Sequence, residues 1–225
     1  MTMEILFDTA NLADIEAMTP IYPVSGVTTN PTIIRAEGRI DFYPHFRRIQ
    51  ELIGPDRTLH VQVLAQDAEG IIRDAHRLRE MIDDQVYVKI PTTEQGIKAM
   101  RELHAQGIGI TATAIYSKTQ GILAIAAGAD YIAPYFNRME SLDIDTVATI
   151  KSLAKFIDKH GSDCKIMAAS FKNVAQVSAA FEAGAQAVTL PPQLLRAALS
   201  TPDVAQAVSA FANDWYETFG TTSLP

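Results

Sequence analysis

The stretch Val86-Tyr87-Val88-Lys89-Ile90-Pro91 places one lysine inside a run of apolar residues that ends at a proline. Alternation and β-branched side chains predict a short, buried β-strand here. A lysine seldom lies in such a strand without a partner or a function, because taking its ammonium group out of water costs free energy. A desolvated amine also loses its proton more easily, as an amine nucleophile requires. The simpler interpretation is a strand-end lysine whose stem covers apolar surface while its amine reaches water.

Segments with the same strand character recur along the chain. They lie at 5–8, 24–29, 59–63, 108–113, 131–134, 165–169 and 187–190, and helical spacing of apolar residues occurs at 42–53, 67–81, 118–127, 144–159, 174–183 and 192–199. Eight alternations of strand and helix with short connections predict an α/β fold, a parallel sheet closed into a (β/α)8 TIM barrel. The alternative is an open doubly wound sheet, which normally has fewer strands and often a glycine-rich dinucleotide turn that is absent here.

The sequence contains no linker or low-complexity segment, so we expect one domain over residues 1–225. An additional C-terminal helix at about 203–219 exceeds what a barrel requires. It carries Trp215, Tyr216 and Phe219, which would either close one end of the barrel or pack on a neighbouring subunit.

Composition narrows the possible functions. The chain has 225 residues, 48% of them hydrophobic, and a net charge of −7 without a basic stripe, which disfavours nucleic acid as a partner. Its one cysteine, Cys164, forms no disulfide framework and fits a reducing cytoplasm. No signal peptide and no apolar run of about 18–20 residues is visible, so we expect neither secretion nor a membrane partner.

Polar residues lie at or just after the carboxyl ends of the predicted strands, at the rim where barrels of this kind place their active sites. Taken in strand order they are Asp8, Thr28, Asn30, Gln62, Lys89, Thr113, Tyr135, Arg138 and Ser170. Polar groups at seven strand ends around one buried lysine are hard to explain by structure alone. A neutral lysine amine can attack a ketone and form a Schiff base, which acts as an electron sink for C–C cleavage.

Each flanking residue has a chemical interpretation and a structural alternative. Asp8 could manage protons or orient a substrate hydroxyl, or it could cap a helix or pair with a cation. Tyr135 could act as a general acid/base, directly or through water, or simply pack at the barrel mouth. Arg138 and Ser170 follow strands six and seven, near the usual phosphate site of such barrels. Their alternatives are a surface ion pair and a helix cap.

Two other chemistries are disfavoured. The histidines lie mostly in predicted helices, and no histidine, cysteine and carboxylate show ligand spacing at a strand end, so we expect no metal site. No glycine-rich Walker loop occurs, which disfavours nucleotide-dependent phosphoryl transfer.

Several motifs together resemble the small transaldolase family over essentially the whole chain, most closely its aldolase branch. The motifs are Gly26-Val27-Thr28-Thr29-Asn30-Pro31, Val88-Lys89-Ile90-Pro91, Thr113-Ala114-Ile115-Tyr116, Ala133-Pro134-Tyr135-Phe136-Asn137-Arg138, Ala168-Ala169-Ser170-Phe171-Lys172 and Phe219-Gly220-Thr221-Thr222. The resemblance implies a barrel with a class I mechanism that needs no cofactor. It also implies a homo-oligomer, a pentamer or decamer, in which the C-terminal helix packs on a neighbour.

The resemblance also assigns residues. Lys89 matches the Schiff-base lysine and Asp8 the aspartate of strand one. The remaining matches are Thr28 and Asn30 for the donor hydroxyls, Arg138 and Ser170 for phosphate, and Gln62, Thr113 and Tyr135 for the catalytic water. Transaldolases usually carry glutamate in place of Gln62 and phenylalanine in place of Tyr135, so this pair favours the aldolase branch.

The implied reaction is reversible cleavage of fructose 6-phosphate to dihydroxyacetone and glyceraldehyde 3-phosphate. The alternatives are a transaldolase that passes the dihydroxyacetone unit between sugar phosphates, and a non-catalytic barrel that binds sugar phosphates or scaffolds an assembly. Two departures from the family pattern stand out. Thr111-Ala112 replaces Leu-Gly close to the expected donor site, and the segment 139–143 lacks the usual paired glycines.

Overall fold

The computed structural model describes residues 3–224, and eight parallel strands form its centre. Each strand pairs with the next in the chain, and β8 pairs with β1, so the sheet is a closed barrel. The predicted TIM barrel is confirmed, and the open-sheet alternative is wrong. The strands are β1 Glu4–Asp8, β2 Gly26–Thr28, β3 Thr58–Gln62, β4 Tyr87–Pro91, β5 Ile110–Ile115, β6 Tyr131–Pro134, β7 Lys165–Ala168 and β8 Ala187–Leu190.

Helices surround the barrel and connect its strands. In chain order they are α1 Leu12–Met18, α2 Pro31–Ala36, α3 Phe42–Ile53, α4 Ala68–Met81, α5 Glu94–Ala105, α6 Lys118–Ala126, α7 Phe136–Glu140, α8 Thr146–His160, α9 Val174–Glu182, α10 Pro192–Leu199 and α11 Pro202–Phe219. Polar side chains cap several of these helices, as Asn11 does for α1 and Asp67 for α4. Eight alternations of strand and helix imply a helix after β4, for which the sequence analysis gave no bounds. The structure shows it as α5.

Alternation along the strands separates two cores. Outward side chains such as Val88 and Ile90 pack against the helices in one large cluster. A smaller cluster of inward side chains lies inside the barrel and contains Leu6, Tyr131, Met167 and Ala187, with Tyr87 packed against it. The lumen is therefore filled near the N-terminal ends of the strands, as expected of a TIM barrel of this size.

Strand β5 differs most from its predicted span, since it runs two residues further along the chain. Its pairing register with β6 shifts between Ala112 and Ile115, and Ala114 has a positive φ of 57°. Such a bulge re-aims neighbouring side chains at a strand end. Here it lies directly after Thr113, one of the predicted site residues.

Helix α11 is exposed on the surface. None of the described residues of α11 is buried, and Phe211 and Phe219 are 70% and 57% exposed. It therefore does not close an end of its own barrel as a buried element would. Within residues 3–224 no helix has both the length and the apolar character needed to cross a bilayer.

Candidate active site

A cleft of about 430 Å³ opens at the carboxyl ends of the strands. Seven of the nine sequence-predicted residues line it: Asp8, Asn30, Gln62, Lys89, Tyr135, Arg138 and Ser170. The other two, Thr28 and Thr113, are fully buried next to it, and each hydrogen-bonds a lining residue. The barrel thus brings all nine residues together, as the strand-end argument predicted.

A larger neighbouring cleft of about 570 Å³ shares Pro31 and Gln62 with the first. It is lined mainly by residues that follow β3 and β4, such as Leu64, Gln66 and Gln95. We place the candidate site in the smaller cleft, because that cleft holds the buried lysine together with the convergent polar groups.

Lys89 lies almost completely out of solvent. Its side chain is 2% exposed, and its Nζ donates a hydrogen bond to the carbonyl oxygen of Thr29 at 3.0 Å. Burial lowers the pKa of this amine, and the negative charge of Asp8 partly opposes that shift. The interpretation in which the amine reaches solvent is therefore wrong. The lowered pKa makes the neutral amine, which is the nucleophilic form, more accessible than in a solvent-exposed lysine.

Asp8 belongs to a short chain of hydrogen bonds across the barrel mouth. Thr28 donates its hydroxyl to Asp8 Oδ1 at 2.7 Å, and its oxygen lies 2.6 Å from the hydroxyl of Thr189 on β8. Because the Thr28 proton is used on Asp8, Thr189 donates to Thr28. Asn11, and not Asp8, caps the following helix. The carboxylate is thus held at the cleft by neighbouring strands.

Asn30 is both a helix cap and a cleft residue. Its Oδ1 accepts hydrogen bonds from the backbone N–H groups of Thr32 and Ile33 at the start of α2. Its carbonyl oxygen is therefore committed to the helix. The amide NH2 is the part of this side chain that can donate to a ligand.

Tyr135 and Thr113 form a hydroxyl pair, with their oxygens 2.9 Å apart. Burial raises the pKa of Tyr135, and the hydrogen bond to Thr113 partly offsets that shift. Tyr135 is therefore protonated at neutral pH and able to donate. Gln62 pairs with Lys89 in the register of β3 and β4, so it stands beside the lysine on the next strand. A tyrosine, a threonine and a glutamine around one amine can position a water molecule.

Arg138 is held against two aromatic rings. Its guanidinium lies 5.0 Å from the centre of the Tyr135 ring, and its Nη1 donates to the hydroxyl of Tyr116 at 3.2 Å. The two rings meet edge to face, with centroids 5.6 Å apart. A planar guanidinium fixed in this way suits the recognition of an anionic group such as phosphate. These contacts are with tyrosines and not with an acidic residue, so they do not match the surface ion pair considered as the alternative for Arg138.

Ser170 lies at the turn after β7 in a left-handed backbone conformation, with a φ of 65°. That conformation is uncommon for a residue other than glycine and is often found at functional sites. The helix cap of α9 is Asn173, so the cap alternative for Ser170 is wrong. Lys172 also lines the cleft, which gives this wall a second positive charge next to Arg138.

Comparisons with known proteins identify the family of the chain. A family model described as transaldolase/fructose-6-phosphate aldolase matches residues 5–222. The chain belongs to this family. A probable fructose-6-phosphate aldolase of Streptococcus pneumoniae (strain ATCC 700669 / Spain 23F-1) is 49% identical over 214 residues, which cover 95% of this chain and 96% of that protein. The resemblance drawn from the motifs is thereby confirmed at the level of the transaldolase/fructose-6-phosphate aldolase family.

Several residues in and below the candidate cleft were outside the predicted set. Tyr116 and Lys172 occur in the family motifs, where they had no assigned role, and both line the cleft. His60 was missed, although it is the one histidine inside a predicted strand. It is fully buried in the lumen, and its Nδ1 lies 2.7 Å from the hydroxyl of Thr111. Thr111, which departs from the family pattern, therefore faces a histidine inside the barrel and does not line the cleft.

Cys164 is buried, and burial raises the pKa of its thiol to about 12, so it is a poor nucleophile. In the part of the chain that the structure describes, no three histidine, cysteine or carboxylate side chains are grouped so that they could hold a metal ion.

Proposed function

We propose that this protein is a class I aldolase that reversibly cleaves fructose 6-phosphate to dihydroxyacetone and glyceraldehyde 3-phosphate. One observation carries the proposal. Lys89 is 2% exposed at the base of a polar cleft, where burial lowers the pKa of its amine. Membership of the transaldolase/fructose-6-phosphate aldolase family supports the substrate class. We propose that no cofactor takes part, because the Schiff base itself provides the electron sink.

The Lys89 amine adds to the C2 carbonyl of the sugar, and the resulting carbinolamine loses water to give a protonated imine. The C3–C4 bond then breaks as the C4 hydroxyl loses its proton. Glyceraldehyde 3-phosphate leaves, and the bonding electron pair moves into the enamine. Protonation at C3 and addition of water return dihydroxyacetone and the free amine. We assign Asp8 to the proton transfers at the donor hydroxyls, which its place in the same cleft and its electrostatic effect on Lys89 support.

Gln62, Thr113 and Tyr135 would hold the water that protonates the enamine. The 2.9 Å contact between the hydroxyls of Thr113 and Tyr135, beside the strand that carries Lys89, supports this assignment. Efficient protonation frees the donor before an acceptor arrives, which favours cleavage over transfer. The alternative function is a transaldolase, in which the enamine waits for a second sugar phosphate.

Substrate binding would divide between two walls. We assign Thr28 and Asn30 to the donor hydroxyls, since both lie at the end of β2. We assign Arg138 and Ser170 to the phosphate, with Lys172 adding charge from the same wall. A cationic wall opposite a small polar pocket fits a substrate with a phosphate at one end and a short ketone at the other.

We further propose a homo-oligomer, a pentamer or decamer, in which α11 packs on a neighbouring subunit. The exposed apolar side chains of α11, including Val208 and Phe211, support it. A cytoplasmic location is the corresponding expectation, and we propose neither a nucleic-acid nor a membrane partner.

The first experiment measures release of glyceraldehyde 3-phosphate from fructose 6-phosphate with and without erythrose 4-phosphate. Steady release without the acceptor supports the aldolase. Release that requires the acceptor identifies a transaldolase. A Lys89→Met variant that keeps full activity would refute both, and absence of any turnover in the unaltered protein would favour the non-catalytic barrel.

A further inference from the structure

A layer of three rings fills the barrel beneath Lys89. His60 is completely buried, and its ring stacks on Tyr87 with centroids 4.8 Å apart and planes 20° from parallel. Tyr131 meets the same imidazole edge to face at 5.2 Å. The proposed chemistry of the cleft gives none of these rings a role.

Hydrogen bonds fix the orientation and the tautomer of His60. Thr58 donates its hydroxyl to the carbonyl oxygen of Ser25 at 3.4 Å, so its own oxygen accepts from His60 Nε2–H at 2.9 Å. Nδ1 is then the unprotonated nitrogen and accepts from Thr111 at 2.7 Å. Burial, followed by the charge of Lys89, lowers the pKa of His60 to about 3, so the ring is neutral at physiological pH.

Strand register places this layer directly below the lysine. Gln62 and Thr111 are the partners of Lys89 on the two flanking strands, and His60 precedes Gln62 by two residues on the same face. Two clefts of about 320 and 260 Å³ open at the N-terminal ends of the strands, and Tyr87 lines both. The ring layer thus lies between these clefts and the Lys89 amine.

We propose that His60 is a positioning residue that seals the barrel below Lys89 and keeps water from reaching the amine through the N-terminal end. The inference rests on the proposed role of Lys89 as the nucleophile. Desolvation is the largest cause of the lowered pKa of Lys89, so a path for water from below would weaken it. The seal requires a ring in this position and not a charge, because the imidazole is neutral.

Charged and polar groups that line the cleft together with Lys89 are retained when His60 is substituted. They are Asp8 from β1, Gln62 from β3 and Tyr135 after β6, with Arg138 and Lys172 in the cleft wall. If substitution of His60 changes how the reactivity of Lys89 depends on pH, the change therefore reports the loss of the seal beneath the amine.

The test compares His60→Ala, which opens the layer, with His60→Phe, which keeps a ring of similar size. Each full-length protein is mixed with dihydroxyacetone and sodium cyanoborohydride from pH 6 to pH 10, and the rate at which the reduced adduct appears on the Lys89 peptide is followed by mass spectrometry. We expect the opened layer to raise the pKa of Lys89 by about one unit, which lowers the fraction of neutral amine at pH 7 about tenfold. His60→Ala should therefore react about tenfold more slowly than the unaltered protein at pH 7 and approach its rate at pH 10. His60→Phe should follow the unaltered protein throughout.

The outcomes separate this inference from the function on which it rests. No adduct on Lys89 in the unaltered protein overturns both. A normal adduct in the unaltered protein with an unshifted pH profile in His60→Ala overturns only the seal, as does a His60→Phe profile that shifts equally. If His60→Ala does not fold, Tyr87→Leu opens the same layer from its half-buried side. The pH profile of adduct formation in Tyr87→Leu should shift in the same direction as expected for His60→Ala, and an unshifted profile would again refute the seal.

Discussion

Replacing Tyr135 with phenylalanine tests the most specific part of the proposed chemistry. The substitution removes one oxygen and keeps the ring on which Arg138 packs. That oxygen contacts the hydroxyl of Thr113 at 2.9 Å. In the proposed mechanism this oxygen acts through a water molecule that it shares with Thr113, and it makes no direct bond to Lys89.

The expected magnitude follows from that arrangement. A positioned general acid/base contributes about 10²–10⁴-fold to a rate, and an indirect one should lie near the lower end. We expect acceptor-free cleavage to fall about 100-fold, which corresponds to roughly 3 kcal/mol in the activation free energy. Transfer to an acceptor avoids water-borne protonation of the enamine, so it should fall less than about tenfold. Loss of a partner for the buried Thr113 hydroxyl should cost about 1–3 kcal/mol of folding stability.

The assay measures glyceraldehyde 3-phosphate release from fructose 6-phosphate with and without erythrose 4-phosphate. Tyr116→Phe is the matched control, because it removes the same atom from the neighbouring ring without touching Thr113. We expect the ratio of transfer to cleavage to rise in Tyr135→Phe and to stay constant in Tyr116→Phe. Equal losses of cleavage and transfer in Tyr135→Phe would refute the water-positioning role.

Three further changes have defined outcomes. Arg138→Ala should raise KM for glyceraldehyde 3-phosphate about 10–100-fold, as expected for loss of a charged hydrogen bond, and leave KM for unphosphorylated glyceraldehyde unchanged in steady-state kinetics. An equal rise for both aldehydes would contradict a phosphate role. The unfolded state protonates His60 near pH 6.5 but the fold holds its pKa at about 3, so stability is lost as pH falls between these values. Urea titrations should therefore show His60→Phe gaining about 1.4 kcal/mol relative to the unaltered protein per pH unit across that window, and a constant difference would contradict a buried neutral imidazole. Phe211→Glu on α11 should weaken each subunit contact by about 1.5–3 kcal/mol and lower the mass in light scattering, while the exposed Ser209→Glu on the same helix should not. A monomeric unaltered protein would refute the assembly.

The fold was predictable from the sequence because its signals are local and repeat. Each strand is a short apolar run bounded by turn residues, and eight repeats leave closure as the simplest arrangement. The sequence did not predict features of the fold whose local signals are weak. Helix α7 has five residues, too few to show a helical period, and the bulge at Ala114 depends on pairing with β6.

The membership of the cleft was predictable for a related reason. Parallel strands bring their carboxyl ends to one rim, so position along the strand selected Lys89 and its neighbours without knowledge of the packing. Pairings across the barrel were not predictable. The contact between Thr113 and Tyr135 depends on how far β5 extends, and the contact between His60 and Thr111 joins residues 51 positions apart. Such contacts are set by barrel closure, which no short segment encodes.

The central claim is that Lys89 forms an imine with a ketone substrate. The direct measurement incubates the protein with fructose 6-phosphate and sodium borohydride, digests it and locates the reduced adduct by mass spectrometry. We expect the mass of a reduced dihydroxyacetone or fructose 6-phosphate adduct on the peptide that contains Lys89, and none on that peptide in Lys89→Met. An unmodified Lys89 in protein that still cleaves the sugar would contradict the Schiff-base mechanism.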